Sequence, residues 1–410
     1  MRNKGLLIVL FVFLVTLNFF SYRDLNITFM GQMIQLLSCS MFIYALTHFS
    51  QIRKTSNQYS SLNYVICFCL YPLLTSIVCY IYHEQSFMLS FQTLLTHWFL
   101  LIYFFLVINK ISSKSIVNLI IVFAIIRTGL TLIEQFTYPN VPFAFRMSGF
   151  DDNFGKYMDV EIRSGFYRYL ISDAYFLPLF AVFYSFMQLV KEISWKFLLI
   201  FLISILGIYM DQTRQIMFSM IICLCLYPFL NFNRRQIKYI FILGIIGIVI
   251  YSNMDLLFGE TISKTQNEVS DDNIRVLSYA YYFSNTGDFI TSLLGNGLAS
   301  TKSSYGQEIA KLENWGYFRC DIGIVGALHM LGYVFILLFI LYYVFVILRN
   351  WKKIDAYLRL YLLSILVNIP LIFPLYNATL PCFECFMGIL FYLVDRSILQ
   401  KKCSGVSLEK

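Results

Sequence analysis

Gly207-Ile208-Tyr209-Met210-Asp211-Gln212-Thr213-Arg214-Gln215-Ile216 is a polar turn between two apolar runs, Trp195–Met210 and Ile216–Leu230. At ~1.5 Å per residue these runs reach about 23–24 Å, against a hydrocarbon core of about 30 Å. Two short runs place their turn below a membrane surface. Asp211 and Arg214 are costly there unless they pair or line a wet cavity, which makes them functional candidates. The other reading of the same residues is a charge-paired helix hairpin at the lipid headgroups.

The rest of the chain has the same character. Of 410 residues, 59% are hydrophobic and only 13% charged, and mean hydropathy is +0.68. This lies far outside soluble globular composition and leaves no room for a soluble catalytic domain. About twelve segments approach spanning length. They are Gly5–Phe20, Phe29–His48, Leu62–Tyr82, Met88–Ile108, Ser115–Phe136, Tyr169–Leu189, Trp195–Met210, Ile216–Leu230, Ile237–Asn253, Asp321–Leu348, Asp355–Tyr376 and Ala378–Leu393. The expected fold is a single all-α polytopic membrane domain over residues 1–410.

Orientation follows from basic residues, which cytoplasmic loops retain. With the N-terminus inside, every inner segment is basic, as at Arg2 and Lys4, Arg53 and Lys54, Lys110 and Lys114, and Arg234 and Arg235. Both termini are then cytoplasmic. The net charge of +8 becomes an inner-face excess rather than a nucleic-acid patch. Met1–Phe20 has a long apolar run with no small-x-small cleavage site after it, so it reads as the first membrane helix. The cysteines are mostly in apolar helices, and Cys382-Phe383-Glu384-Cys385 lacks the context of a redox motif.

Loop lengths are unequal. Inner loops are short, whereas 137–168 and 254–320 are long and fall outside. A protein with bulk on one face works at that face, and an alternating-access transporter would show repeat symmetry that is not found here. The first long loop carries Arg146 in Phe145-Arg-Met-Ser-Gly149 and Arg163 in Glu161-Ile-Arg-Ser-Gly165, interleaved with aromatics. Arginine forks and ring faces suit anionic or sugar ligands. In the second, Asp271-Asp272-Asn273-Ile274-Arg275 opens an amphipathic helix, Gly295-Asn296-Gly297 forms a turn, and Glu313 precedes Arg319 and Asp321. Asp321 is positioned to cap the following helix, while Glu313 has no evident capping role. Arg127, nine residues from the outer end of its span, either clasps Glu134 or faces a polar cavity in the outer half. His97 reads as a hydrogen-bonded interior histidine, and His329 as structural.

Together these stretches resemble the Wzy-type O-antigen polymerase and O-antigen ligase superfamily. Thr213-Arg214 at the end of a helix hairpin is similar to a family motif. So are Arg275 followed by Leu294-Gly295-Asn296-Gly297, Glu313-Asn314 leading into Asp321-Ile-Gly-Ile-Val-Gly326, and Arg146-Met-Ser-Gly149 with Asp152-Asn153-Phe154-Gly155. The sequence departs from the ligases at Glu313, where they tend to carry His, and its 254–320 loop has no His at all. The resemblance implies a GT-C-like bundle in a bacterial inner membrane that joins lipid-diphosphate-linked glycan units at the periplasmic face. Donor and acceptor glycans are the implied partners, beside membrane lipids, a chain-length regulator and a flippase. The implied enzyme is a metal-independent glycosyltransferase without cofactor. Arg214, Arg275, Arg319 and Arg127, with Arg146 and Arg163, are candidates for binding the diphosphate. Glu313, then Asp321 and Asp211, are candidates for the base. Ligation of glycan to lipid A core and flipping of lipid-linked oligosaccharide are the rival readings.

Overall fold

The computed structural model describes residues 2–17, 27–95, 97–137, 150–151, 156–157, 161–163, 166–168, 174–211, 213–230, 273–285, 287–376 and 381–406. Among them every element is helical except two short antiparallel hairpins, Phe150–Asp151 with Lys156–Tyr157 and Glu161–Arg163 with Phe166–Arg168. The helices are α1 (Arg2–Thr16), α2 (Ile27–Thr47), α3 (Phe49–Thr55), α4 (Leu62–His83), α5 (Phe87–Leu95), α6 (Ile102–Asn109), α7 (Ser113–Thr137), α8 (Phe176–Lys191), α9 (Trp195–Asp211) and α10 (Arg214–Leu230). They continue with α11 (Ile274–Ser284), α12 (Phe289–Leu294), α13 (Ser304–Asn314), α14 (Gly323–Tyr342), α15 (Ala356–Asn368) and α16 (Cys382–Val406). The expected segment Ile237–Asn253 lies outside the described residues.

Among the described residues, three stretches are by length and composition apolar enough to cross a membrane: Leu62–His83, Ser113–Thr137 and Arg319–Leu348. Five qualify if each of two bent pairs counts as one span. The chain is thus a helical membrane protein. Its spans carry outward Leu, Ile and Val side chains, such as Leu70, Val122 and Ile340, as lipid-facing helices do.

Several segments expected to be continuous are broken. Phe29–His48 runs on into α3 across a 66° bend, and Met88–Ile108 is split by a 57° bend between α5 and Trp98–Asn109. The second bend falls at His97, whose Nδ1 meets Glu384 Oε1 at 2.9 Å. Glu384 is fully buried on α16 and also accepts the Tyr376 N–H at 3.2 Å. The histidine is therefore interior and hydrogen-bonded, as its sequence context suggests. The expected helix Asp355–Tyr376 stops at Asn368; Ile369 still donates to Ile365 O, and Pro370 after it has no N–H with which to continue the ladder.

One aromatic core joins Phe68 of α4 to Phe335, Phe339 and Tyr342 and to Phe391 of α16. Another joins Phe176 and Phe180 of α8 to Phe386 and Tyr361. At the start of α4 the buried Asp395 carboxylate accepts the Ser61 N–H (3.0 and 3.2 Å) and the Tyr103 hydroxyl (2.6 Å). These clasps hold α4, α8 and α14 against α16, and so fix the scaffold on which the outer segments sit.

Candidate active site

The submerged hairpin resolves into an ion pair. Arg127 Nη2 donates to Asp211 Oδ1 at 2.9 Å, and Nη1 lies 2.8 Å from Oδ2, with both side chains under a tenth exposed. Gly207, one turn before Asp211, explains the approach: a Cβ there would stand 2.3 Å from Thr128 Oγ1. Without a side chain at 207, α9 can press against α7 closely enough for the fork to reach. Of the two readings for Asp211, pairing is the observed one, and its partner is Arg127. The Glu134 side chain lies outside the described residues. Arg214 opens α10 half-buried, and α10 is tied to α15 by Asn368 Nδ2 donating to Ser219 Oγ at 2.9 Å.

A second cluster forms where residues 294–305 meet the C-terminal end of α4. Helix α14 is broken at Gly332, whose φ of 72° and ψ of 174° are not helical. Breaking a helix frees carbonyls that need new donors. Here Asn296 N–H donates to His329 O (3.0 Å) and Gly297 N–H to Met330 O (2.9 Å). A Cβ on Gly332 would sit 2.4 Å from Gly295 N, and one on Gly295, at φ 92°, would sit 2.4 Å from Met330 O. The turn read from Gly-Asn-Gly is therefore a wedge docked into a broken span.

The wedge carries a polar side chain with it. Asn296 Nδ2 donates to His329 O at 3.0 Å, and its Oδ1 meets His83 Nε2 at 2.9 Å. A carbonyl only accepts, so the amide orientation is set, and His83 Nε2 must be the donor. Of the two uncharged tautomers, this contact selects the one with the lone pair on Nδ1. The His83 ring stacks on Tyr305 at 4.0 Å. Buried Gln85 fastens the segment beyond the wedge, accepting from Ser300 N (2.8 Å) and Ser303 Oγ (2.7 Å) while donating to Leu298 O (3.0 Å).

Arg319 enters this cluster from a short 3-10 turn, Arg319–Ile322. Its side chain is 11% exposed, and Nε lies 3.9 Å from Glu313 Oε1. Nε and Nη1 have no hydrogen-bond partner among the described residues. Burial pushes the Tyr282 phenol up to about 12, and the nearby Arg319 cation opposes that shift. The Tyr305 phenol is raised by burial in the same way, again opposed by Arg319. Both phenols are held neutral, and Tyr305, whose hydroxyl has no acceptor among the described residues, can donate to an anion. Tyr282 also donates to Tyr317 O at 3.0 Å and sets its ring edge against His329, 5.0 Å away.

The other candidates are distributed as follows. Arg275 is half-buried at the start of α11, which is capped by Asn273 Oδ1 accepting the Arg275 N–H at 2.9 Å. Asp321 is exposed and does not cap α14; the preceding 3-10 turn places Ile322 at that position, with no side-chain cap. Arg163 pairs with Phe166 in a hairpin, its side chain outside the described residues, as is Arg146 entirely. The corner Asn368–Pro370 links the two regions. It meets Ser219 of α10, receives the Tyr279 hydroxyl of α11 at Pro370 O, and accepts the Ile324 N–H of α14 at Ile369 O. Thus Arg319 and Glu313 come together, and Arg127 and Asp211 form a separate pair.

Sequence reasoning missed His83, Asn296 and Tyr305. The available signal was a histidine at the outer end of a span, followed by Glu84-Gln85. Among the described residues, no group of three or more His, Cys, Asp or Glu side chains could hold a metal ion. The chain matches no family model and none of the curated proteins.

Proposed function

We propose that this protein is a glycosyltransferase of about twelve spans and GT-C-like form that polymerises undecaprenyl-diphosphate-linked repeat units into a surface polysaccharide. It works at the periplasmic face of a bacterial inner membrane, with both termini cytoplasmic. The observation that carries the reading is the mostly buried Arg319 guanidinium, set beside neutral Tyr282 and Tyr305 and beside Glu313, with His83 stacked on Tyr305. Loss of a diphosphate leaving group concentrates negative charge, and pre-oriented donors in a poorly hydrated site stabilise it most.

In the proposed step the acceptor hydroxyl gives its proton to a base, and its oxygen bonds to the anomeric carbon of the donor. The bond from that carbon to the diphosphate oxygen breaks, and its electron pair leaves with the diphosphate, which Arg319 receives. Arg275 and Arg214, on helices whose Tyr279 and Ser219 reach the Asn368–Pro370 corner, are the proposed further contacts to the diphosphate. Two groups are candidates for the base. Glu313 faces the same cation that the diphosphate needs, whereas His83 keeps Nδ1 for a proton and has Nε2 fixed by Asn296. General base catalysis requires this kind of fixed lone pair.

Purified protein given lipid-diphosphate-linked repeat units in detergent is expected to lengthen the glycan, read by gel and mass spectrometry. Unchanged single repeats would refute the reading. In cells, deletion is expected to leave single-repeat glycans on the lipid A core. Core with no glycan would indicate the ligase instead, and activity that needs two compartments the flippase.

A further inference from the structure

The two bends near the start of α4 leave a notch that the glycosyl-transfer reading does not use. Where α2 turns into α3 and α5 into Trp98–Asn109, helix ridges cannot stay interdigitated with α4. The opening between them is a shallow groove lined almost wholly by apolar side chains that include Phe49, Leu70 and Phe104. Trp98 forms its floor, 1% exposed, stacked on Phe42 at 4.3 Å and donating from Nε1 to Cys69 O at 3.2 Å.

Cations gather at one end of this notch. In the seven-residue α3, Ile52 faces inward and lines the notch, while Arg53 and Lys54 are exposed. Helix α3 packs on α6. The end of α6 is tied to α2 by Asn109 Nδ2 donating to Tyr44 Oη at 2.9 Å, and exposed Lys110 follows it. An apolar slot with a basic rim at one end matches one ligand chemistry: acyl chain below, anionic headgroup above. The place is distinct from the outer cluster, since Leu70 and His83 are separated by about 20 Å along α4.

We propose that this notch is a binding site for an anionic phospholipid, with one acyl chain over Trp98 and the headgroup phosphate held by Arg53, Lys54 and Lys110. The test uses full-length protein in nanodiscs, with Trp195, Trp315 and Trp351 replaced by Phe so that Trp98 alone fluoresces. Phosphatidylglycerol or phosphatidylcholine with brominated acyl chains is then titrated at equal mole fraction. Brominated phosphatidylglycerol is expected to quench Trp98 at lower mole fraction. Arg53→Gln with Lys54→Gln, both at exposed positions, is expected to cut that preference on the order of fivefold per cation, and adding Lys110→Gln to abolish it. Ala45→Leu, which narrows the notch, is expected to reduce quenching by both lipids. Equal quenching by the two lipids would overturn the proposal and leave a gap filled by bulk lipid. Absence of quenching would overturn it too, as would recovery of fluorescence on adding a polyprenyl diphosphate, which would assign the notch to that lipid instead.

Discussion

Replacing Asp211 with alanine strands the Arg127 guanidinium between α7 and α9. The two side chains exchange a two-point contact at 2.8 and 2.9 Å with under a tenth of either exposed, so water cannot substitute for the lost carboxylate. Removing one partner of such a pair costs about 3–5 kcal/mol, most of it the penalty of an uncompensated buried charge. The same logic makes the double variant Arg127→Met with Asp211→Leu far milder, because both charges go together and apolar atoms refill the space. Thermal unfolding of purified protein in detergent, followed by size exclusion of heated samples, reads this directly. Asp211→Ala should melt well below the parent, and the double variant should recover most of the loss. The double variant also separates scaffold from chemistry: as a structural clasp, the pair can be removed with glycan lengthening preserved. A stable Asp211→Ala protein, or a stable double variant with no activity, would refute the assignment of this pair to structure.

Three further outcomes follow from the outer cluster and its supports. Arg319→Lys keeps a charge but loses the planar fork, so glycan lengthening should fall about 10²–10³-fold with unfolding temperature nearly unchanged; full activity would remove Arg319 from the site. His83→Gln is expected to lower turnover by about 10²–10⁴ with partial rescue by added imidazole. The same loss in Glu313→Gln, with His83→Gln unaffected, would assign the base to Glu313. Gly332→Ala forces a side chain into a left-handed backbone against Gly295 N and should destabilise by at least about 1–3 kcal/mol, measured by unfolding temperature. An unchanged value would mean that the wedge is not docked.

Much of the helical layout was legible because apolar run length is a strong signal: Leu62–Tyr82 and Ser115–Phe136 fall within a residue or two of α4 and α7. The breaks were not legible. A bend at His97 depends on Glu384, 287 residues away, and the one at Gly332 depends on the arrival of Asn296 and Gly297. In each case the deciding partner is remote in sequence, and local periodicity carries no record of it. The same holds for the ionisable groups. The short runs around 207–216 showed that Asp211 needed a partner, but Arg127 was one of several cations that could supply it. His83 looked like an ordinary helix end until Asn296 and Tyr305 came to lie against it.

The docked wedge also limits how the outer loop can be exchanged. Gly297 has room for no side chain, since a Cβ would lie 2.8 Å from Cys79 Cβ and 2.9 Å from Thr75 O, and Tyr71 donates to Leu294 O at 3.2 Å. Residues 294–297 are thus keyed to grooves in two separate spans. Transplanting the outer loop into another bundle to change specificity would fail unless the matching faces of α4 and the interruption in α14 travelled with it, because loop and receptacle are a single unit of inheritance.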